Sequence, residues 1–260
     1  KFWISAFDLR YSSGNFYLFG EVARSFRNQL GGIFGFTSTF GFLDFNLAGK
    51  FFPAGFYSPK GAVVEDNYDG GILTLKNIST LGKFEFIYSL DNKVEHDSLQ
   101  REIRLNFEKR VSILTARLQF RWRYTEEVKD LSGSKVFLRI KPLPRLFFDL
   151  RFGERYVNNA EVWEKGLFLA LEGAYKTKRF VFRVRGCHYI TDSYTSRVYI
   201  YEIDLPGIIN NHLFYNQGNY GFVYLAFKPF DCLKLTSKYS LQFKDDEVIK
   251  KIGGQLDIEL

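Results

Sequence analysis

The sequence ARLQFRWRY, which occupies residues 116–124, alternates apolar and polar side chains without interruption. Side chains on a β-strand point to opposite faces in turn, so this stretch predicts a strand with one apolar, aromatic face and one cationic face. The same alternation returns in RFVFRVR, residues 179–185. An apolar stripe rich in aromatic residues, opposite a charged face, is typical of a strand with lipid on one side and water on the other.

The composition agrees with a membrane barrel and excludes a helical membrane protein. Aromatic residues make up 18% of the 260 residues, yet the mean hydropathy is only −0.17. The sequence has no run of about 18 or more apolar residues, which a transmembrane helix requires. A barrel explains both values, because every second residue of its strands faces water. We therefore predict a single outer-membrane β-barrel domain over residues 1–260.

About sixteen strand-like segments follow one another, and most have the ~9–11 residues that a membrane strand needs. Tight connections alternate with longer polar loops. The tight ones include residues 109–111, 141–145 and 176–178. Short turns at one end and long loops at the other are the arrangement of outer-membrane barrels. We therefore expect the tight turns on the periplasmic side.

The expected alternation breaks between residues 178 and 228, where three segments are predicted between two periplasmic turns. An even number of crossings is required there. One explanation is that residues 196–219 form a special element, extracellular or folded into the lumen. The other is that residues 204–219 are an unusually long periplasmic turn. The predicted fold class is accordingly all-β, an antiparallel transmembrane β-barrel of about 14–16 strands.

A soluble β-sandwich or lipocalin-like barrel is the alternative fold. Such a fold would bury either the aromatic face or Arg117, Arg121 and Arg123, and burying unpaired guanidinium groups costs several kcal/mol each. Exposing the aromatic face to water instead would promote aggregation. A barrel set in lipid and filled with water satisfies both faces, which favours the membrane alternative.

Two further features concern the compartment. Cys187 and Cys232 lie on separate predicted strands, so they are either a disulfide, which an oxidising compartment would permit, or two unrelated small residues. The chain begins at Lys1, contains no methionine and shows no signal peptide. We therefore expect a processed or truncated product whose export signal lies upstream.

Several stretches resemble a known protein family. They are FGEVA at residues 19–23, YSPK at 57–60, NYDGG at 67–71, DSYTSRVYIYEIDLP at 192–206 and FYNQG at 214–218. In this order they resemble the C-terminal barrel region of Bacteroidota-type outer-membrane proteins that often carry an N-terminal helix-hairpin-helix segment. Ile203 stands where the family usually has Asn, and no helix-hairpin-helix pattern occurs in this sequence. The resemblance implies a location in the outer membrane rather than an activity.

The sequence has no catalytic or metal-binding motif in a usable context. The three histidines, His96, His188 and His212, lie far apart and lack the spacing of metal ligands. His96 is flanked by two acidic residues, which leaves a metal site in that loop as an alternative to a solvated loop. His188, Asp192 and Ser193 could meet at an extracellular rim as in a hydrolase, but a polar loop explains them as well. We expect no enzymatic activity, no cofactor and no metal.

A basic inner face is the most informative constellation. The basic residues predicted to line the lumen are Arg117, Arg121, Arg123, Arg139, Lys141, Arg151, Arg179, Arg183 and Arg185. The acidic residues predicted to share that face are Glu102, Glu108, Asp149 and Glu172. One interpretation is a lumen filled by ion pairs that stiffen the wall. The other is a positive channel that concentrates small anions, because arginines on adjoining strands lie roughly 5–10 Å apart.

A polar, aromatic segment is the second candidate site, as a constriction or a partner surface. Its residues are Arg197, Tyr199, Tyr201, Glu202, Asp204, His212 and Tyr215. The alternative is a packed extracellular hairpin. If the segment folds inward it narrows the lumen, whereas an extracellular hairpin leaves the lumen open.

The predicted function is a porin-like channel in the outer membrane of a Gram-negative bacterium, for passive passage of small, preferably anionic solutes. One alternative is a non-conducting structural or anchoring barrel in a larger outer-membrane assembly. A weaker one is a channel for nucleic-acid uptake, which the basic lumen would permit if it were open. The expected partners are outer-membrane lipid, small anions, partner proteins of a membrane assembly and, as the weak alternative, nucleic acid.

Overall fold

The structure is a computed structural model. It describes residues 4–25, 28–53, 55–56, 68–93, 98–125, 131–159, 162–206, 208, 210–245 and 247–258. His96 lies outside the described residues. Within these ranges, no helix is long and apolar enough to cross a membrane. The regular structure of the described residues consists of β-strands.

The strands follow one another in the order that the alternating sequence predicts. They are β1 (Ile4–Ser13), β2 (Phe16–Ser25), β3 (Leu30–Phe40), β4 (Leu43–Phe52), β5 (Tyr68–Ser79), β6 (Gly82–Lys93), β7 (Ser98–Val111), β8 (Leu114–Thr125), β9 (Leu131–Leu143), β10 (Leu146–Asn159), β11 (Val162–Lys176), β12 (Phe180–Thr191), β13 (Val198–Glu202), β14 (Asn210–Phe214), β15 (Gln217–Phe230), β16 (Leu233–Lys244) and β17 (Glu247–Ile258).

One antiparallel sheet contains 15 of the described strands, each hydrogen-bonded to the next in chain order, except that β12 is followed by β15. Strands β13 and β14 form a separate two-stranded sheet, with Ile200 paired to His212. Because β14 lies inside residues 204–219, the prediction that this stretch is one long turn is wrong. The alternative prediction, a special element between two strands of the wall, is confirmed.

Turns of two or three residues follow β1, β3, β5, β7, β9, β11 and β15. Gly14 and Gly41 have φ angles of 54° and 57°, in the left-handed region that only glycine enters without strain. Each therefore permits a two-residue connection between antiparallel strands. The predicted tight turns are present, but only two residues separate β10 from β11 and β16 from β17, so the predicted alternation with longer connections does not hold at these two places.

The chain forms two compact units, the first comprising residues 1–107 and 119–131 and the second residues 108–118 and 132–260. In the first unit, Phe36 lies between Phe16 and Phe45, with ring centroids 4.8 and 5.4 Å away. These rings come from neighbouring strands β2, β3 and β4. Cross-strand aromatic contacts of this kind fix the register of a sheet.

The strands of the second unit have one exposed apolar face and one buried face. On β11, Leu169 and Leu171 are exposed, whereas Phe168, Ala170 and Glu172 are buried. The same alternation continues on β12, β15 and β16. A soluble sheet would bury the leucines, so this distribution suits strands whose apolar face contacts lipid.

The hairpin of β13 and β14 packs on the buried face of the second unit. Its contacts form a hydrophobic cluster that contains Phe168, Ala170, Cys187, Tyr189, Val198, Ile200, Phe214, Tyr220, Phe222, Tyr224 and Ala226. Phe214 stacks on Tyr189 with ring centroids 4.5 Å apart. The hairpin therefore lies on the side opposite the exposed apolar face, held by the burial of its own Val198 and Ile200.

Gly166 on β11 permits the close approach of the hairpin. A Cβ atom at this position would overlap the carbonyl oxygen of Ser196 and lie 3.0 Å from Cγ1 of Val198. By contrast, a Cβ atom at Gly186 on β12 would meet nothing within 4 Å. The two glycines therefore offer a test of docking and its control.

We expect Gly166→Val to displace the hairpin from the wall and leave the sheet intact, because overpacking a tight contact costs about 1–3 kcal/mol. Limited proteolysis with trypsin, followed by mass spectrometry, should show faster cleavage after Arg197. Gly186→Ala should leave the cleavage unchanged. Equal cleavage of Gly166→Val and the parent protein would contradict the docking of the hairpin against β11.

Candidate functional site

A cluster of charges on the buried side of β7 and β8 surrounds Glu102, which is only 2% exposed. Its carboxylate accepts hydrogen bonds from Arg104 and from Arg121 and Arg123, whose Nη2 atoms lie 2.7 and 2.8 Å from Oε2. The period of two places these arginines on one face, as predicted for Arg121 and Arg123. The Glu102 cluster consists of these four residues.

A second cluster extends across β9, β10, β11 and β12. The Asp149–Glu172 cluster contains Asp149, Glu172, Arg139, Arg151, Arg183 and Arg185. Arg139 donates two hydrogen bonds to Asp149, at 2.7 and 2.8 Å. Arg151 lies 3.3 Å from Asp149 and 3.6 Å from Glu172, so it bridges the two carboxylates. Glu172 also accepts from Arg183 at 3.1 Å and from Nε of Arg185 at 2.8 Å.

The acids and bases of these clusters differ in exposure. The side chains of Asp149 and Glu172 are 0% and 1% exposed, whereas Arg121 and Arg139 remain 39% and 37% exposed. Three arginines surround Glu102 and four share the other two carboxylates, so seven guanidinium groups meet three acids. The carboxylates thus lie beneath the arginines, and the accessible surface of both clusters is cationic.

The remaining predicted residues of the basic face lie near its edge. Arg117 pairs with Glu108 at 2.8 Å, and its side chain is 49% exposed. Lys141 is exposed near the end of β9. Arg179 was predicted on a strand facing the lumen, but it lies in the turn before β12 and is exposed. The strand begins at Phe180, because the backbone of Thr177 closes the turn onto that residue.

Backbone carbonyl groups of the hairpin accept hydrogen bonds from arginines of the wall. The carbonyl of Tyr201 accepts from Nη1 of Arg185 at 2.9 Å and from Nη1 of Arg151 at 3.3 Å. The carbonyl of Arg197 accepts from Nη1 of Arg155 at 3.0 Å. These bonds satisfy backbone acceptors that a two-stranded sheet leaves without a strand partner. The predicted segment is therefore joined directly to the Asp149–Glu172 cluster.

A buried ionic contact fixes the base of the hairpin. Nζ of Lys238 lies 2.5 Å from Glu202 and 3.0 Å from Asp204, and the hydroxyl of Tyr220 donates to Glu202 at 2.7 Å. Together with His212, these residues line a cavity of about 150 Å³ between the hairpin and strands β15, β16 and β17. Lys238, Glu202 and Asp204 together form the Lys238 latch.

His212 is held in the same cavity by aromatic contacts. Its ring stacks on Tyr220 with centroids 4.3 Å apart, and its Nδ1 atom lies 3.9 Å from Glu202. Burial lowers the pKa of His212 below its ordinary value of 6.5, an effect that the Glu202 carboxylate opposes in part. The docked hairpin therefore favours neutral His212.

The hairpin's other face is aromatic and exposed. Tyr201 is 61% exposed, and the hydroxyl of Tyr199 accepts a hydrogen bond from Nε of Arg197 at 2.5 Å. Tyr215 lies beyond β14, against the ring of Tyr194 at 5.4 Å. The structure thus brings Glu202, Asp204 and His212 together but separates them from the tyrosines of the same segment.

Several residues of the site were absent from the sequence predictions, namely Lys238, Arg104, Arg155 and Tyr220. Lys238 lies between Thr236 and Ser240 on the polar parity of β16, and Arg104 shares the parity of Glu102 on β7. The alternation of polar and apolar residues in both strands was the available signal. For Lys238 this signal gives the face but not the partner, because Glu202 lies 36 residues away on the hairpin.

The structure also bears on the predicted alternatives for the two cysteines, for His188 and Ser193, and for a metal site. Cys187 and Cys232 are both free, so they form no disulfide with each other. His188 contacts Asn219 at 2.9 Å, whereas Ser193 donates to Glu164 at 2.5 Å. The described ranges contain no group of three or more His, Cys, Asp or Glu side chains that could hold a metal ion.

We expect acid to loosen the hairpin, because the pKa of His212 is lower when the hairpin is docked. Below about pH 6.5 the undocked histidine binds a proton more readily, so the docked state loses stability as the pH falls and keeps it at higher pH. Amide hydrogen exchange of residues 198–202 and 210–214, corrected for intrinsic rates, should be faster at about pH 5.5 than at pH 7.5.

His212→Gln is the control for this pH dependence. The glutamine keeps a polar side chain among Glu202, Lys238, Lys251 and Gln242 but does not titrate. Its exchange should change little between the two pH values. A hairpin that is equally protected at both pH values in the parent protein would contradict the role given to His212.

No family model matches the chain, and no curated protein matches it. Solved structures do match. One is a loop L8 deletion mutant of OmpT, an outer membrane protein of Vibrio cholerae, with a TM-score of 0.52, 12% identity, and coverage of 98% of this chain and 89% of that chain. Another is the outer membrane channel DcaP of Acinetobacter baumannii, with a TM-score of 0.44, 10% identity, and coverage of 92% and 86%. A third is the NanC porin, with a TM-score of 0.39, 9% identity, and coverage of 74% and 94%.

The similarity to the OmpT mutant shows the fold, and the apolar exposed face agrees with it. The predicted class, an antiparallel β-barrel of about 14–16 strands, is therefore confirmed. Barrels of this kind are structures of the bacterial outer membrane, which is the predicted location. The resemblance to the Bacteroidota-type family stays a prediction. The chain has the fold of an outer-membrane β-barrel protein.

Proposed function

We propose that this protein is a channel of the outer membrane that passes small, preferably anionic solutes. The observation that carries the proposal is the asymmetry of its ion pairs. Glu102, Asp149 and Glu172 are buried, whereas six of the seven arginines around them keep 21–43% of their side chains exposed, the exception being the buried Arg185. A solute that moves along this face meets guanidinium groups rather than carboxylates.

The pairing leaves an excess of positive charge in each cluster. Three arginines around one acid and four around two acids each give a net charge of +2. Charges on the wall of a narrow aqueous passage act over a screening length of about 8 Å at physiological salt. Rings of arginine in pores favour anions for this reason.

The geometry of the exposed arginines supports the same preference. The side chains of Arg104, Arg121 and Arg139 are 43%, 39% and 37% exposed. Guanidinium groups present five donors in a fixed plane, and small oxyanions accept such donors two at a time. The basic face therefore presents donors that suit small oxyanions.

The hairpin is the constriction in this proposal. It packs on the face of the second unit opposite the apolar one, which is the inner face in an outer-membrane barrel. Its exposed side carries Tyr199 and Tyr201, so the narrowed passage has an aromatic surface beside arginine. The Lys238 latch and the arginine bonds to Tyr201 hold the hairpin in place.

A second candidate function is a non-conducting barrel that serves a structural or anchoring role. One observation favours it: the hairpin is fixed by a hydrophobic cluster as well as by ion pairs, in which Phe214 and Tyr189 are 1% and 0% exposed. A hairpin packed this tightly fills part of the interior. Conduction through the folded protein decides between the two candidates.

The channel proposal predicts anion selectivity that depends on the exposed arginines. In planar bilayers under a salt gradient, the reversal potential should show anion preference. Arg121→Gln combined with Arg139→Gln should lower the anion-to-cation permeability ratio by about twofold or more, because two of the cluster charges are removed. Glu102 and Asp149 each keep another arginine, so the fold should survive.

The control replaces two basic residues outside the clusters, Lys178→Gln combined with Lys250→Gln, and should leave the permeability ratio nearly unchanged. Preference for cations in the parent protein would refute the anion preference. A correctly folded barrel that conducts nothing would instead support the structural role. Folding is checked by the altered gel mobility of the unheated protein.

The constriction predicts that opening the latch increases conductance. Lys238→Met leaves Glu202 and Asp204 without their shared cation, and breaking a buried ion pair costs about 3–5 kcal/mol. We expect the hairpin to leave the wall and the single-channel conductance to rise. Lys251→Met changes the same cavity but, among the described residues, removes no ion pair, so it serves as the control. An unchanged conductance in folded Lys238→Met would show that the hairpin does not limit passage.

A further inference from the structure

The exposed apolar face of the second unit contains a groove of about 480 Å³. Its apolar lining includes Leu138, Ile140, Phe148, Leu171 and Val184, together with two glycines. These side chains lie on the parity opposite the buried charges, so the groove opens on the outer surface. In a membrane barrel that surface contacts lipid.

Two glycines create the groove. Gly173 is paired with Phe148 on one side and Val184 on the other, and Gly186 is paired with Leu171. A Cβ atom at Gly186 would meet nothing within 4 Å, and one at Gly173 would make ordinary contacts of 3.6 Å. Neither position needs glycine for its backbone angles. Glycine inside a strand weakens it and is used where another molecule approaches closely.

A cationic rim lies at the turn end of the same strands. Its residues are Lys141, Arg145, Lys176, Lys178, Arg179 and Lys228. Backbone hydrogen bonds join neighbouring turns, from Lys176 to the carbonyl of Arg145 at 2.8 Å and from Lys228 to the carbonyl of Arg179 at 2.7 Å. Residues 141–145 and 176–179 contain no acidic residue. The positive charge is therefore continuous over the turns at residues 141–145 and 176–179, whereas the turn after Lys228 also carries the exposed Asp231.

The distance between the rim and the groove suits an amphipathic molecule. Ile140 lies three residues before the end of β9 and Val184 four residues after the start of β12. At about 3.3 Å per residue, the groove begins roughly 10–15 Å from the turns. Tyr175 and Phe180 lie between them, with ring centroids 6.5 Å apart. Aromatic rings at this level mark the interface between headgroups and acyl chains.

We propose that the groove and the cationic rim together bind an anionic phospholipid, with an acyl chain in the groove and the headgroup phosphate at the rim. The apolar groove accounts for the chain, and the lysines and arginines of the turns account for the phosphate. A second copy of this chain fits less well, because a symmetric contact would bring the same positive rims together. The groove lies on the surface opposite the buried charges, so the proposal holds whether or not the barrel conducts.

Native mass spectrometry of the delipidated protein tests the proposal. The protein is incubated with equal amounts of phosphatidylglycerol and phosphatidylcholine that carry the same acyl chains. We expect phosphatidylglycerol to be retained about fivefold or more over phosphatidylcholine, since each nearby cation favours the anionic lipid. Lys178→Glu combined with Arg179→Glu should abolish this preference. Lys83→Glu combined with Lys250→Glu, the same charge change at exposed lysines elsewhere, should keep it.

A substitution that fills the groove tests binding of the acyl chain independently of binding of the headgroup. Gly186→Leu should reduce retention of both lipids, with Gly186→Val as the smaller replacement if the leucine variant does not fold. Equal retention of both lipids by the parent protein would overturn the headgroup site, and unchanged retention after filling would overturn the groove. A dimer mass that takes the place of the lipid adducts would assign the face to a second copy of the chain.

Discussion

The ion pair between Glu172 and Arg185 is the interaction on which the second unit depends. Both side chains are nearly inaccessible, at 1% and 3% exposed, and they face each other across β11 and β12. Arg185 also donates to the carbonyl of Tyr201, so a single buried guanidinium connects the wall with the hairpin. A buried charge without its partner is strongly destabilising. Loss of either Glu172 or Arg185 is therefore expected to destabilise both the sheet and the docked hairpin.

The electrostatic character of the inner face follows from the order in which acids and bases are stacked. A carboxylate on a strand is short and stays close to the backbone, whereas an arginine extends from a neighbouring strand and covers it. Glu102 and Asp149 are thereby buried under Arg121 and Arg139, which stay more than a third exposed. If the arginines were buried and the carboxylates covered them, the same charges would present acids to the solute. Because the carboxylates are the buried partners here, ion pairing is compatible with a preference for anions.

Sequence reasoning succeeded where the period of two controls position. The alternation in β8 places Arg121 and Arg123 on one face, and the preceding strand supplies Glu102 at the level of both. It failed for the partner of Lys238, because the direction in which a hairpin folds onto a wall depends on packing, such as the close approach at Gly166, rather than on alternation. It also placed Arg179 on a strand, although β12 begins at Phe180, because the alternation of residues does not show where the preceding turn ends.

Neighbouring positions on one strand therefore serve two different environments. Arg185 meets the hairpin and its acid, whereas Gly186, the next residue, opens the groove on the opposite surface. The same holds on β11, where Glu172 lies between Leu171 and Gly173. Because each side chain reaches only one face, selection on the inner surface leaves the outer surface free to change. Strands β11 and β12 thus carry a buried ion pair on their inner face and the apolar groove on their outer face, using alternate residues of the same segments.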